Sequence, residues 1–143
     1  MRRRLATLAI IAFASWAQAA AENLAEHPVL LASAEARCAA IGFSLATYDS
    51  DDREAWARRA SDLFQRAGIR LMEVIRTEKS VDTLEKYGNL SEFYARHPDF
   101  VAGIIVSGIF EDVSNEMSGL EPREQRAAWR VRNCDVIAAI AND

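Results

Sequence analysis

Two stretches carry the chain's two cysteines, and their spacing decides the fold: Leu31 to Tyr48, LASAEARCAAIGFSLATY, and Ala127 to Ala141, AAWRVRNCDVIAAIA. In the first, Leu31, Ala34, Cys38, Ile41, Leu45 and Tyr48 recur at intervals of three and four, which is one apolar stripe of an α-helix. In the second, Ala127, Val131, Cys134, Ile137 or Ala138, and Ala141 repeat the pattern. Each cysteine sits within a stripe, so each sulfur is expected to face a partner helix. A Cys38–Cys134 disulfide would tie an early helix to the last one. Cys38 lies near the middle of its helix, so parallel and antiparallel pairings both bring it to Cys134.

Outward from these helices, the N-terminus reads as an address. Arg2, Arg3 and Arg4 form a basic n-region, Leu5 to Trp16 is a short apolar run, and Ala17-Gln18-Ala19 fits a small-x-small cleavage site. That is the pattern of a secretory signal peptide over 1–19, followed by one domain over 20–143. The apolar run is too short to span a bilayer comfortably. Removing three arginines and no acids takes the net charge from −4 to −7. An acidic surface is poorly suited to nucleic acid or to anionic lipid. A periplasmic or secreted address also favours a structural disulfide over two free thiols.

With 143 residues, half of them hydrophobic, and only six glycines and three prolines, the chain suits one ordered, helix-rich domain. A first helix is expected from Pro28 to Leu45 or Tyr48, since proline suits the first helical turn. The acidic cluster Asp49-Ser50-Asp51-Asp52 interrupts the pattern and provides caps for a second helix. That helix, from about Asp52 to Glu78, buries Trp56, Ala60, Leu63, Ala67, Leu71 and Val74. Its other face, with Arg58, Arg59, Arg66, Arg70 and Arg76, reads as solvated.

A short helical excursion over Ser80 to His97 is expected next, with Gly88 as a stop and Asn89 with Glu92 as a capping box. Pro98 breaks it and opens a third helix to about Met117. This third helix is apolar almost all round, through Phe100, Val101, Ile104, Ile105, Val106, Ile109, Phe110 and Val113. It should be enclosed, or dock onto something. Gly103, Ser107 and Gly108 would admit a neighbouring backbone. A fourth helix is expected from Pro122 to about Ala141. The fold expected is therefore all-α: a four-helix bundle with an excursion between the second and third helices, stapled by one disulfide.

Chemistry is harder to find. The two histidines, His27 and His97, stand beside prolines and outside any ligand set, so no metal is expected. No Cys-x-x-Cys-His occurs for covalent haem, and no phosphate-binding glycine loop occurs. The Asp49–Glu54 cluster lacks the glycine and distal glutamate of an EF-hand. No serine sits in a nucleophile elbow. Pairs such as Glu111 with Asp112, or Glu121 with Glu124, read as solvated faces. The chain leans away from being an enzyme, and no cofactor is expected.

The leading reading is an exported, non-enzymatic bundle acting through protein contacts, as an inhibitor, immunity-type or accessory protein. Its partner would be another exported or envelope protein, with self-association open and no membrane span after cleavage. The alternatives are a binder of a small apolar ligand between helices, and an enzyme with an unrecognised site. The candidate interaction surface comprises Phe93 and Tyr94 of the excursion, Phe100 and Ile104 of the third helix, and the row Arg123, Arg126 and Arg130, whose guanidinium groups suit planar acidic contacts. Mass analysis of the exported protein should find Ala20, or a residue within two of it, at the N-terminus. Recovery of Met1 in a membrane fraction would overturn that expectation.

Overall fold

The computed structural model describes residues 23–49, 51–77 and 96–140. The expected signal peptide lies outside them, as does the expected excursion up to residue 95, with Phe93 and Tyr94. The described residues contain no strand, and five α-helices have both ends within them: α1 (Pro28–Tyr48), α2 (Arg53–Thr77), α3 (Pro98–Met117), α4 (Pro122–Val131) and α5 (Cys134–Ala139). Prolines open α1, α3 and α4, where a missing N–H leaves no helical bond unmade.

Cross-contacts give the direction of every leg. Gly42 of α1 meets Ala60 of α2, and Glu35 meets Arg66 and Arg70, so those helices are antiparallel. Phe64 meets Phe110, and Ala67 and Leu71 pack with Ala102 and Val106, so α2 and α3 are antiparallel. Asp49 meets Arg126 and Cys38 is bonded to Cys134, so the last leg runs back along α1. The result is an up-down-up-down bundle whose fourth leg is broken in two. The orientation that the disulfide alone left open is thus antiparallel.

The break corrects the expectation of one continuous helix to Ala141. Arg132 leaves the helical region, and Asn133 stands at φ 54°, ψ 36°, a left-handed conformation that asparagine tolerates better than other residues with a side chain. The chain then restarts at Cys134. The disulfide to Cys38, with a Cα–Cα distance of 5.5 Å, pins this restarted turn to the middle of α1. It spans 96 residues, and in the chain-entropy model such a closure contributes up to about 4.7 kcal/mol.

Among the described residues the helix enclosed by the others is α1, not α3. It touches α2, α3, α4 and α5, whereas α3 packs chiefly on α1 and α2. By length and composition α1 could cross a membrane, yet it forms the bundle's core. Small residues make this possible. Ala32, Ala36, Ala39, Ala40 and Gly42 are all buried, and they let neighbouring backbones approach on several sides. Leu31, Ile41 and Leu45 fill the space between them with Leu63, Val113, Met117, Trp129 and Ile137.

Glu35 lies in the middle of this helix and is wholly buried. Arg66 Nη2 stands 2.9 Å from it, and Arg70 donates through Nε at 3.2 Å and Nη2 at 3.3 Å. Arg66 also donates to the carbonyls of Ala138 at 2.9 Å, Ile137 at 3.3 Å and Ile140 at 2.6 Å. Those oxygens belong to the C-terminal end of α5, where helix carbonyls lack partners and carry partial negative charge. The reading of the α2 arginine face as solvated therefore holds for Arg58, Arg59 and Arg76, and fails for Arg66 and Arg70. Breaking a buried pair of this kind by removing one partner costs about 3–5 kcal/mol, because the other charge is stranded.

Gly42 sets the closest helix approach. A Cβ there would lie 2.9 Å from Ala60 Cβ and 3.4 Å from Trp129 Cζ3. Gly42→Ala should therefore destabilise the fold by about 1–3 kcal/mol through overpacking. A Cβ on Gly68 meets nothing within 4 Å, so Gly68→Ala should stabilise by up to ~1 kcal/mol. Urea titration of both variants checks this; equal effects would contradict the close approach.

Candidate functional site

The outer face of α3 is the part of the bundle that most needs explaining. Ala102, Val106 and Val113 turn inward, and Phe110 meets Phe43 and Phe64 edge to face at centroid distances of 5.5 and 5.6 Å. These contacts fix which way the helix is rotated. At 100° per residue, the opposite side must carry Phe100, Ile104, Ser107, Gly108 and Glu111. Phe100 is 50 % exposed, Ile104 53 % and Ile105 41 %. Gly103, Ser107 and Gly108 are exposed among them, with open space where a glycine Cβ would stand. Gly103 and Ser107 lie on one side of the Phe100–Ile104 ridge and Gly108 on the other, and no charge lies between Asp99 and Glu111.

A second cluster forms where α1 ends and α4 begins. Asp49 is buried, accepts a hydrogen bond from the Asp51 N–H at 3.3 Å, and is held by Arg126 through Nε at 2.9 Å and through Nη2. Trp56 and Trp129 meet edge to face at 5.0 Å, and Arg59 stacks over Trp56 at 5.3 Å. Trp129 Nε1 donates to Asp135 at 3.0 Å. Gln125, wholly buried, donates to the carbonyls of Met117 and Leu120, fastening the turn between α3 and α4. Every charge in this cluster is satisfied within the fold. It holds the last leg in place.

The residues singled out from the sequence fall in different places. Phe100 and Ile104 lie one turn apart on the exposed face of α3. Arg126 is engaged by Asp49 at the end of α1, while Arg123 and Arg130 are exposed on α4. Because α3 runs parallel to α1, Phe100 near the start of α3 and Arg126 near the end of α1 belong to opposite ends of the bundle. Phe93 and Tyr94 lie outside the described residues. His27 and His97 stand at the N-caps of α1 and α3.

Sequence reasoning passed over Glu35 and the Asp49–Arg126 pair. Glu35 had a signal: Leu31, Glu35, Cys38, Gly42 and Leu45 share one helical stripe, and an acid on a buried stripe must find cations. Glu121 and Glu124 are both exposed, as expected of a solvated face, and they also form a capping box around Pro122, with the Glu121 N–H donating to Glu124 Oε2 at 2.9 Å. A shallow, open hollow at the start of α2 is lined by Asp51, Asp52, Arg53, Glu54, Ala55 and Arg58. Among the described residues no three His, Cys, Asp or Glu side chains gather to hold a metal ion. Compared with known proteins, the chain matches no family, no curated protein and no solved structure.

The Arg126 guanidinium holds the Asp49 carboxyl below its ordinary value of 3.8, aided by the Asp51 N–H and opposed by burial. Arg132 likewise lowers Glu116 from 4.5. A lowered folded-state value means that the unfolded chain takes up the proton first as pH falls. The stabilisation is therefore complete above the ordinary carboxylate range and disappears as pH falls through the folded value. Asp49→Asn should lower the urea midpoint at pH 7, and the gap to the parent protein should narrow steadily below about pH 4. A gap that stays constant down to pH 2 would contradict the pairing.

Proposed function

We propose that this chain is an exported helical-bundle protein that acts through protein contacts, and that the outer face of α3 makes the contact. One observation carries the reading. Among the described residues no helix covers the outer side of α3, where Ile104 and Ile105 are about half exposed. Contiguous apolar surface on a soluble fold generally marks a binding site, because exposing it to water is unfavourable. The apolar N-terminal stretch and the disulfide fit an exported protein, so the partner would be met outside the cytoplasm.

An inhibitor, immunity-type or accessory role is consistent with such a surface, since each needs a rigid display face and no reaction chemistry. A small apolar ligand held between the helices is less favoured. The space between α1 and α2 is filled, with the Gly42 backbone against Ala60 and Trp129.

Site-specific photocrosslinking in the exporting host tests the reading. A photoreactive residue in place of Ile104 should give one discrete heavier adduct, and the same residue in place of the exposed Arg58 should not. Identical background at both positions would overturn it.

A further inference from the structure

We propose that α5 is a redox-controlled latch: the Cys38–Cys134 bond locks it onto α1, and reduction lets it swing away at Asn133 while α1 to α4 stay folded.

The two halves of the last leg are held by ties of different kinds. α4 is fastened by side chains that do not need the disulfide. Gln125 donates to the carbonyls of Met117 and Leu120, Trp129 is buried against Gly42, and Arg126 holds Asp49. Arg132, the C-cap of α4, pairs with Glu116 at 2.6 Å. By contrast α5 has six residues, and a helix that short does not persist without tertiary support. Its buried side chains are Cys134, which is in the bond itself, and Ile137. Its other ties among the described residues are polar: Arg66 to its terminal carbonyls, and Trp129 Nε1 to the exposed Asp135.

The break between the two helices supplies a hinge. Asn133 is exposed and stands at φ 54°. Its N–H closes the last turn of α4 on the Arg130 carbonyl, and its own carbonyl accepts from the Ile137 N–H of α5. Each helix thus completes its hydrogen bonds on its own side of this residue.

Lifting α5 strands no charge. Glu35 keeps Arg66 and Arg70, which reach it from α2, and Arg66 exchanges carbonyl oxygens for water. The remaining bundle has a core of its own. Ala32, Ala36, Ala67, Leu71, Ala102 and Val106 form a cluster within α1, α2 and α3, as do the rings of Phe43, Phe64 and Phe110.

The lock is covered by what it locks. Cys38 is 1 % exposed and Cys134 0 %, so a reductant meets a sulfur only once α5 has lifted. A dithiol reductant then attacks one sulfur as its thiolate, forms a mixed disulfide, and closes to its own cyclic disulfide. The S–S bond of the chain breaks, Cys38 and Cys134 gain two electrons and two protons as thiols, and the reductant gives up the same.

Hydrogen exchange read by mass spectrometry on the mature protein tests this, before and after dithiothreitol. The double variant Cys38→Ala with Cys134→Ala supplies the unlinked state if the buried bond resists the reagent. Without the bond, amides over 134–140 should exchange at least roughly tenfold faster, and those of α1 to α4 should keep their protection. Reoxidation of the reduced protein with glutathione disulfide should restore slow exchange over α5. Loss of protection in every helix together would make the bond a clamp on the whole fold and overturn the proposal. Release of α4 together with α5 would also overturn it, as would an α5 that exchanges at the same rate in both states or stays fast after reoxidation.

Discussion

The arrangement of the bundle depends on one buried guanidinium. Arg66 of α2 is nearly enclosed, and it holds together Glu35 at the centre of α1 and three carbonyls at the end of α5. A carboxylate in an apolar helix is tolerable only with cations at hydrogen-bond distance. Arg66 and Arg70 supply them, and in doing so fix the level at which α2 passes α1. The disulfide, one turn further along α1, fixes the level at which the last leg passes it. Two unlike restraints, one ionic and one covalent, thus converge on the same central stretch of α1.

The rest of the architecture follows from how closely other helices approach α1. Its alanines and Gly42 replace bulk with proximity, so α1 is surrounded by α2, α3, α4 and α5. A chain of this size has few helices to distribute. Once four of them crowd one core helix, α3 has chiefly α1 and α2 as neighbours. Its equally apolar composition is therefore only half used in packing. Among the described residues its outer side is left without a covering helix, and Ile104 and Ile105 are about half exposed there. The Asp49–Arg126 pair and the paired tryptophans close the end of the bundle where α1 stops.

Much of the secondary structure was legible in the residues. The prolines at 28, 98 and 122 start helices, and Leu31, Cys38, Ile41, Leu45, Ala60, Leu63, Ala67 and Leu71 of the expected stripes are buried. Tyr48, at the end of α1, is 58 % exposed because no described helix extends past it there. The cysteine pair was read from two stripes. The first holds, whereas the second is cut by the break at Asn133, which leaves Val131 81 % exposed and keeps only Cys134 and Ile137 of it buried. These are local properties: propensity, capping and a 3.6-residue period act within a few turns, so they can be read along the chain. The break at Asn133 was not read, because an isolated asparagine is compatible with helix, and the left-handed turn is selected by where Cys134 and Trp129 must pack.

The sequence by itself determined an all-α chain, the extent of α1 to α3, and the cysteine pair. Only the tertiary structure decided that, among the described residues, α1 and not α3 is enclosed. Both helices are apolar nearly all round, and composition cannot say which of two such helices will have neighbours on every side. Likewise, Arg66 and Arg70 look like Arg58 and Arg76 along the chain, yet two are drawn inward by a glutamate more than thirty residues away. The candidate site was legible only as an excess of apolar surface on α3. Which part of that surface stays bare depends on contacts distant in sequence, since burial is a property of the assembled helices.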